Sequence, residues 1–323
     1  MGPIIVTGGA GYIGSHACKA LAKAGYAPVA YDNLVYGHED AVKWGPLEIG
    51  DILDADRLSA VFEKYRPAAV MHFAAYAYVG ESILEPGKYY RNNVTGSLTL
   101  LDAMKRHDVG RLVFSSTCAT YGNPVHDLID ETHPQVPVNP YGATKLVMER
   151  ALKDYQSAYG LDWISLRYFN AAGADPDGEI GEDHNPETHL IPLAVDAALG
   201  RRDALHLFGA DYETPDGTCI RDYVHAADLA DAHVRALKNL ENGEACQALN
   251  LGSGTGHSIR QVLSKLSALC DRPVPVIEAA RRVGDPPILV ANAARARHVL
   301  GWQPRHSDLD TILKTALAWR LEH

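Results

Sequence analysis

The sequence predicts a doubly wound parallel α/β sheet followed by a smaller C-terminal domain, and three observations carry that prediction. Apolar, β-rich runs alternate with helical runs through residues 1–170. A glycine-rich turn joins the first strand to the first helix. Past Asn170 the texture changes to a long polar loop, and later helices alternate with short strands.

The elements follow in order. "PIIVTGG" is a short strand ending in glycines, and "YIGSHACKALAKAG" is helical. "APVAYDN" and "PLEIGDI" read as the second and third strands, "ADRLSAVFEKY" as a helix and "AAVMHFAA" as a strand. "KYYRNNVTGSLTLLDAMKRH" reads as one long helix and "RLVFSST" as the next strand. A further helix and the strand "DWISLRYFN" complete the alternation, which requires parallel strands covered on both faces. "AAGADPDGEIGEDHNPETH" is rich in Gly, Pro and acid; a loop of that length inside a compact domain is usually functional. The expected division is therefore 1–170 and 171–323, with some later segments returning to the first domain.

"TGGAGYIG" places glycines at 8, 11 and 14, between a predicted strand and a predicted helix. Such a turn lets the backbone approach a pyrophosphate lying on the helix N-terminus, the Rossmann-type arrangement. Asp32 ends the second strand 18 residues after Gly14, where a carboxylate accepts hydrogen bonds from an adenosine ribose. It would repel a 2′-phosphate, and Asn33 and Leu34 offer no cation to hold one, so NAD is expected rather than NADP.

Composition narrows the partners. A net charge of −10 argues against nucleic-acid and anionic-membrane surfaces, so an anionic ligand must be held by a few local arginines and helix ends. Five cysteines without a C-x-x-C pair argue against a disulfide framework or a thiolate zinc site and fit a cytoplasmic protein. The lone histidines show no metal-ligand spacing, and no metal is expected. The N-terminus enters a strand at once, so no export signal or membrane span is expected.

"NPYGATK" opens the helix "YGATKLVMERALKDYQSAYG" with Asn139 as N-cap and Pro140 at the first helical position. Tyr141 and Lys145 then project from one face, one turn apart.

With a dinucleotide loop upstream, that pair resembles the active-site Tyr-x-x-x-Lys of the extended short-chain dehydrogenase/reductases. More narrowly, the chain resembles the UDP-glucose 4-epimerase family. Matching stretches run nearly end to end, among them "TGGAGYIGSH", "HFAAYAYVGES", "YYRNNVTG", "FSSTCATYG", "LRYFNAAGA", "DGTCIRDYVH" and "RRVGDPP". The glycine loop and the Tyr–Lys pair mark only the superfamily; "HFAAYAYVGES", "DGTCIRDYVH" and "RRVGDPP" are far more specific.

The resemblance implies roles. Tyr141 is the acid/base, Lys145 its partner and Thr117 the active-site hydroxyl, standing where many relatives have serine. Gly8, Gly11, Tyr12, Ile13, Gly14, Asp32 and Asn33 bind the cofactor, together with Asp51 and Ile52 near the adenine. Phe73, Ala74, Ala75, Asn92, Ser115, Tyr141, Lys145 and Tyr168 complete that site. On the substrate side Thr117, Tyr141, Asn170, His189, Leu190, Arg221 and Arg282 contact the UDP-sugar, the arginines at its diphosphate, and Asp285 holds the uridine ribose. A homodimer is implied too, through the helices around 87–107 and 141–158, which carry apolar positions on more than one face.

The implied reaction interconverts UDP-glucose and UDP-galactose by transient NAD-dependent oxidation at sugar C4, rotation of the 4-keto intermediate and hydride return. Tyrosine has an ordinary pKa of about 10, and lowering it by roughly three units needs about 4 kcal/mol of anion stabilisation. The Lys145 ammonium and the oxidised nicotinamide are the expected sources. A 4,6-dehydratase would need an Asp-Glu pair after the threonine, and this chain has Cys118 and Ala119. Three departures are visible. Ala77 stands where some epimerases have lysine, His189 where some have asparagine, and Leu289 where hexose-restricted ones tend to have tyrosine. Cys118 reads as a packed residue rather than a reactive one.

Overall fold

The computed structural model describes residues 2–244, 246–282 and 285–323, so Val283 and Gly284 of "RRVGDPP" lie outside the described residues. The strands are β1 (Pro3–Thr7), β2 (Ala27–Asp32), β3 (Leu47–Ile49), β4 (Ala69–His72), β5 (Arg111–Thr117), β6 (Leu128–Ile129) and β7 (Asp162–Tyr168). They continue with β8 (Asn170–Ala172), β9 (Leu205–Phe208), β10 (Ile220–His225), β11 (Gln247–Leu251), β12 (Gly256–Ser258), β13 (Val276–Ala279) and β14 (Ile288–Ala291). Seven of them form one sheet in the order β3-β2-β1-β4-β5-β7-β11, and every neighbouring pair is parallel. The order reverses between β1 and β4, and in such sheets ligands bind outside the carboxyl ends of the strands at that point.

The helices are α1 (Tyr12–Lys23), α2 (Ala55–Tyr65), α3 (Val79–Leu84), α4 (Pro86–Tyr89), α5 (Ser97–Arg106) and α6 (Pro140–Tyr159). After them come α7 (Leu190–Leu199), α8 (Ala226–Glu241), α9 (Ile259–Leu269), α10 (Ala294–Leu300) and α11 (Leu309–Glu322). Along β1, Ile4 and Val6 pack on one face with α1 and α8 (Ala17, Leu21, Leu229, Leu237). Ile5 packs on the other with α2, α5 and α6 (Leu58, Phe62, Leu100, Met148, Leu152). Both faces are buried, which explains why the strands read as continuous apolar runs. Each aliphatic side chain buried this way contributes about 1.5–3 kcal/mol.

The chain leaves the seven-stranded sheet after β7. β8 pairs with β10, which also pairs with β12 and β14, and β14 pairs with β6. The core beneath is built by α7, α9 and α11. Two later segments return: β11 pairs with β7, and α8 packs against α1.

One expectation needs refinement. The run around 87–107 is helical without a break from Pro86 to Arg106, but its middle turn is wound more widely than an α-helix. Glu85 leaves helical geometry (φ −125°, ψ 56°) before Pro86, which disfavours a helical residue ahead of it. After α4, Tyr90–Gly96 is wound as a π-helical segment before α5 begins. Within it, Asn93 accepts from the Tyr76 N–H (2.9 Å) and donates to the Tyr76 carbonyl (2.9 Å). A wider turn at such a site is where π segments usually occur.

Candidate active site

The turn from β1 into α1 is shaped by its glycines. Gly8 has φ +73°, a region that L side chains rarely adopt. A Cβ on Gly14 would lie 1.9 Å from the Gly8 carbonyl oxygen, so the helix can begin this close to the loop only with glycine. Gly11 is the N-cap and supplies no side-chain cap, which leaves the first-turn N–H groups without a side-chain partner. A Cβ there would meet only the Gly8 carbonyl, at 3.3 Å, so the approach is open. Asp32 at the end of β2 accepts from Ala10 N–H (3.0 Å) and Leu34 N–H (2.9 Å). Burial pushes its carboxyl above the usual range, against those hydrogen bonds.

α6 delivers the Tyr–Lys pair. Its N-cap Asn139 accepts from Gly142 N–H (2.8 Å), and Gly160 ends it in the left-handed conformation. Lys145 is buried; its ammonium donates to the Ser115 carbonyl (2.8 Å) and lies 4.9 Å from the Phe114 ring centre. Burial lowers its pKa to about 7, and Glu149, one turn further along α6, acts the other way. Glu149 is itself buried, accepts from Ser116, Ser165 and Gln135, and pairs with Arg167 (2.5 Å). Tyr141 opens the same helix. Burial and the neighbouring Tyr168 raise its pKa, and the hydrogen bond that opposes them comes from Thr117. The Lys145 ammonium, expected to oppose them too, is fixed by the Ser115 carbonyl.

The far end of the site is built on and around the second sheet. Arg221 is buried, pairs with Asp285 and donates to the Ile220 carbonyl (2.8 Å). Arg282 stacks its guanidinium 4.2 Å from the Phe208 ring centre. Asn170 donates to the Asp222 carbonyl (3.0 Å). Leu289 both lines the cavity and packs beside Tyr121, Ile129 and Phe169.

These residues border one cavity of about 1230 Å³ that runs from the glycine turn, past Tyr141, to Arg282. Of the residues singled out from sequence, only Asp51 is off its wall: it accepts from the Asn33 side chain (2.9 Å) and so holds a residue that is on it. Ser115 shares a short hydrogen bond with the Tyr168 hydroxyl (2.5 Å). Cys118 is buried enough to push its thiol up to about 12, an inert setting.

Sequence reasoning missed several wall residues, notably Tyr78, Glu182, His184 and Glu187. Three come from the 171–189 loop, whose length was the signal. Glu149 was missed as well, although its position four residues after Lys145 on a helix marks it. His189 sits with its Nδ1 2.7 Å from Glu182 and 3.2 Å from Glu187; burial works against its charge, but the carboxylates hold the imidazolium well above its ordinary range.

The chain matches the model of the NAD dependent epimerase/dehydratase family over residues 4–252. It is 55% identical over 316 residues to the UDP-glucose 4-epimerase of Rhizobium leguminosarum bv. trifolii, covering 98% of this chain and 96% of the relative. The crystal structure of UDP-glucose 4-epimerase from Brucella ovis in complex with NAD superimposes with a TM-score of 0.96 at 56% identity, covering 98% of each chain. That of UDP-glucose 4-epimerase from Bifidobacterium longum in complex with NAD+ and UDP gives 0.95 at 34% identity, covering 99% of this chain and 98% of the other.

Proposed function

This chain belongs to the NAD-dependent epimerase/dehydratase family, and from its geometry we infer that the cavity takes NAD at the glycine turn and a UDP-hexose beyond Tyr141. The protein interconverts UDP-glucose and UDP-galactose by transient NAD-dependent oxidation at sugar C4. The single observation that carries the site reading is the shared cavity, which brings Tyr141, Lys145 and Thr117 between the dinucleotide turn and Arg221.

The residues fit the cofactor. The open approach at Gly11, the uncapped first turn of α1 and the carboxylate of Asp32 suit a pyrophosphate and an unphosphorylated ribose. When bound, NAD supplies the acceptor for the C4 hydride and gives the hydride back. Tyr141 removes the C4 hydroxyl proton and later returns it, and Thr117 shares its hydrogen bond. Lys145, fixed by the Ser115 carbonyl, carries the positive charge beside that exchange. Asn92, Ser115, Tyr168 and Phe73 with Ala74 and Ala75 shape the cofactor side, and Asn33, held by Asp51, borders the adenosine end.

Arg221, Arg282 and Asn170 hold the diphosphate, with His189 and Leu190 at the start of α7. Asp285, oriented by Arg221, accepts from the uridine ribose. Retaining the substrate through these groups lets the oxidised sugar turn while it stays bound.

The division at residue 170 belongs to the same reading, supported by the step of the chain from β7 in one sheet to β8 in the other. So does a homodimer: Ile83, Leu84, Tyr90 and Val147 are 54%, 80%, 44% and 38% exposed on segments that pack around α6. A cytoplasmic location is supported by five free cysteines. Among the described residues, no helix is long and apolar enough to cross a membrane.

The test is turnover of UDP-galactose by the purified protein with no external oxidant. UDP-glucose formed with catalytic NAD supports the reading, and dependence on a stoichiometric oxidant overturns it.

A further inference from the structure

Four side chains of the 171–189 loop converge on one point at the cavity wall. His189 Nδ1 lies 2.7 Å from Glu182 Oε1 and 3.2 Å from Glu187 Oε1; His184 Nδ1 lies 3.2 Å from Glu182 Oε1 and 3.9 Å from Glu187 Oε2. Ligand atoms on a tetrahedron with metal bonds of about 2.0 Å are separated by about 3.3 Å, and these spacings bracket that value. One ligand atom from each residue falls within 4.8 Å of all the others.

A second observation points to a cation at the centre. Glu187 Oε2 is buried and has no hydrogen-bond partner, although its side chain is only 8% exposed. The other oxygen of that carboxylate is held by the N–H groups of Thr188 (2.7 Å) and His189 (2.8 Å), which leaves Oε2 3.9 Å from His184 Nδ1. Buried carboxylate oxygens are rarely left without a donor. Both imidazole Nδ1 atoms turn to one oxygen of Glu182 instead, so Glu187 Oε2 is the ligand atom left over.

We propose that Glu182, His184, Glu187 and His189 form a site for one divalent ion of the zinc type, which locks the 171–189 loop against the dinucleotide turn. Two imidazoles with two carboxylates suit Zn²⁺ far better than Mg²⁺ or Ca²⁺, which prefer all-oxygen shells. On binding, the ion displaces the proton that the carboxylates otherwise hold on His189, and two neutral imidazoles with two carboxylates then balance its charge. The loop's contact with the turn is direct: the His184 ring meets the Tyr12 ring edge-on at 6.2 Å, and the Tyr12 hydroxyl donates to the Gly173 carbonyl (2.5 Å). His189 keeps 44% of its side chain exposed, which gives an ion a way in.

The other acidic cluster of the loop makes a useful contrast. Asp175, Asp177 and Glu179 also converge, but Lys19 fills their centre at 2.5, 2.7 and 2.5 Å. That cluster already holds its cation.

The experiment is a Zn²⁺ titration of the chelator-dialysed protein against a chromophoric zinc indicator, read with the metal content of the dialysed product and its melting temperature. Wild type should take up one equivalent of Zn²⁺, not displaced by millimolar Mg²⁺, with a rise in melting temperature. Glu187→Gln and His184→Gln should each weaken uptake at least tenfold, while Asp177→Asn should keep it. The two variants guard against a folding defect, since their circular dichroism must match wild type. No stoichiometric uptake by wild type would overturn the proposal, and so would wild-type affinity in both folded variants. Neither result bears on epimerisation, because the readout is metal content.

Discussion

Burial moves Tyr141 and Lys145 in opposite directions, the phenol up and the ammonium down to about 7, so each favours its neutral form in the protein alone. The roles given to them are tested separately. Tyr141→Phe removes the proton carrier and should cost at least ~10²-fold in turnover, with near-normal activity contradicting the role. Lys145→Met should also lose activity and shift the pH profile upward, because the cation beside the tyrosine is gone; a profile unmoved by that change would detach Lys145 from the proton exchange. Leu289 bears on which sugars fit. It leaves more room than tyrosine but offers an acetamide no polar partner, and burying such a group unpaired costs on the order of 1–3 kcal/mol. UDP-glucose should therefore be preferred over UDP-N-acetylglucosamine by roughly ten- to hundredfold. Leu289→Tyr should widen that ratio. An unchanged ratio would leave the residue as packing alone.

Helix α6 carries three site groups at one-turn intervals: Tyr141, Lys145 and Glu149. Glu149 acts through its neighbours, and Glu149→Gln would leave Arg167 charged and buried without its partner, a change that typically costs about 3–5 kcal/mol. Chemical denaturation of that variant checks the figure, and a loss under about 1 kcal/mol would show the pair to be dispensable. α6 was legible from its sequence because Asn139, Pro140 and Gly160 mark both ends locally. The 87–107 run was legible as a helix but its π winding was not, since Asn93 there binds the backbone of Tyr76, a contact between separate segments. The engagement of Lys145 by Ser115 was hidden for the same reason: helix spacing shows which residues share a face, not what lies opposite. The cluster at 182, 184, 187 and 189 follows neither helix nor strand period, so only the folded loop reveals it.

Across the whole molecule, the doubly wound sheet was readable because strands buried on both faces alternate with amphipathic helices. The assembly of the second sheet was less so, since its short strands β8, β10 and β14 carry little pattern of their own. Four buried histidines give the molecule an acid weakness. Burial holds His16 and His233 at about 4, and lowers His72 and His225 to about 3, against an unfolded value of 6.5. Below pH 6.5 the unfolded chain therefore binds protons that the folded one refuses, so stability is complete above that pH and falls as pH drops toward 4. Melting temperature between pH 7 and 4.5 should decline, and less steeply in His233→Phe; equal slopes would remove His233 from that account. A homodimer is expected by sedimentation at micromolar concentration, with the exposed Leu84 and Val147 faces covered, and a monomer there would contradict it.

The central claim is that the hydrogen removed from C4 is kept by the enzyme and returned to the same carbon. The most direct measurement is conversion of UDP-galactose in D₂O with no added oxidant, read by mass and NMR of the sugar. The account predicts UDP-glucose with no deuterium at C4. Solvent deuterium at that carbon would contradict it.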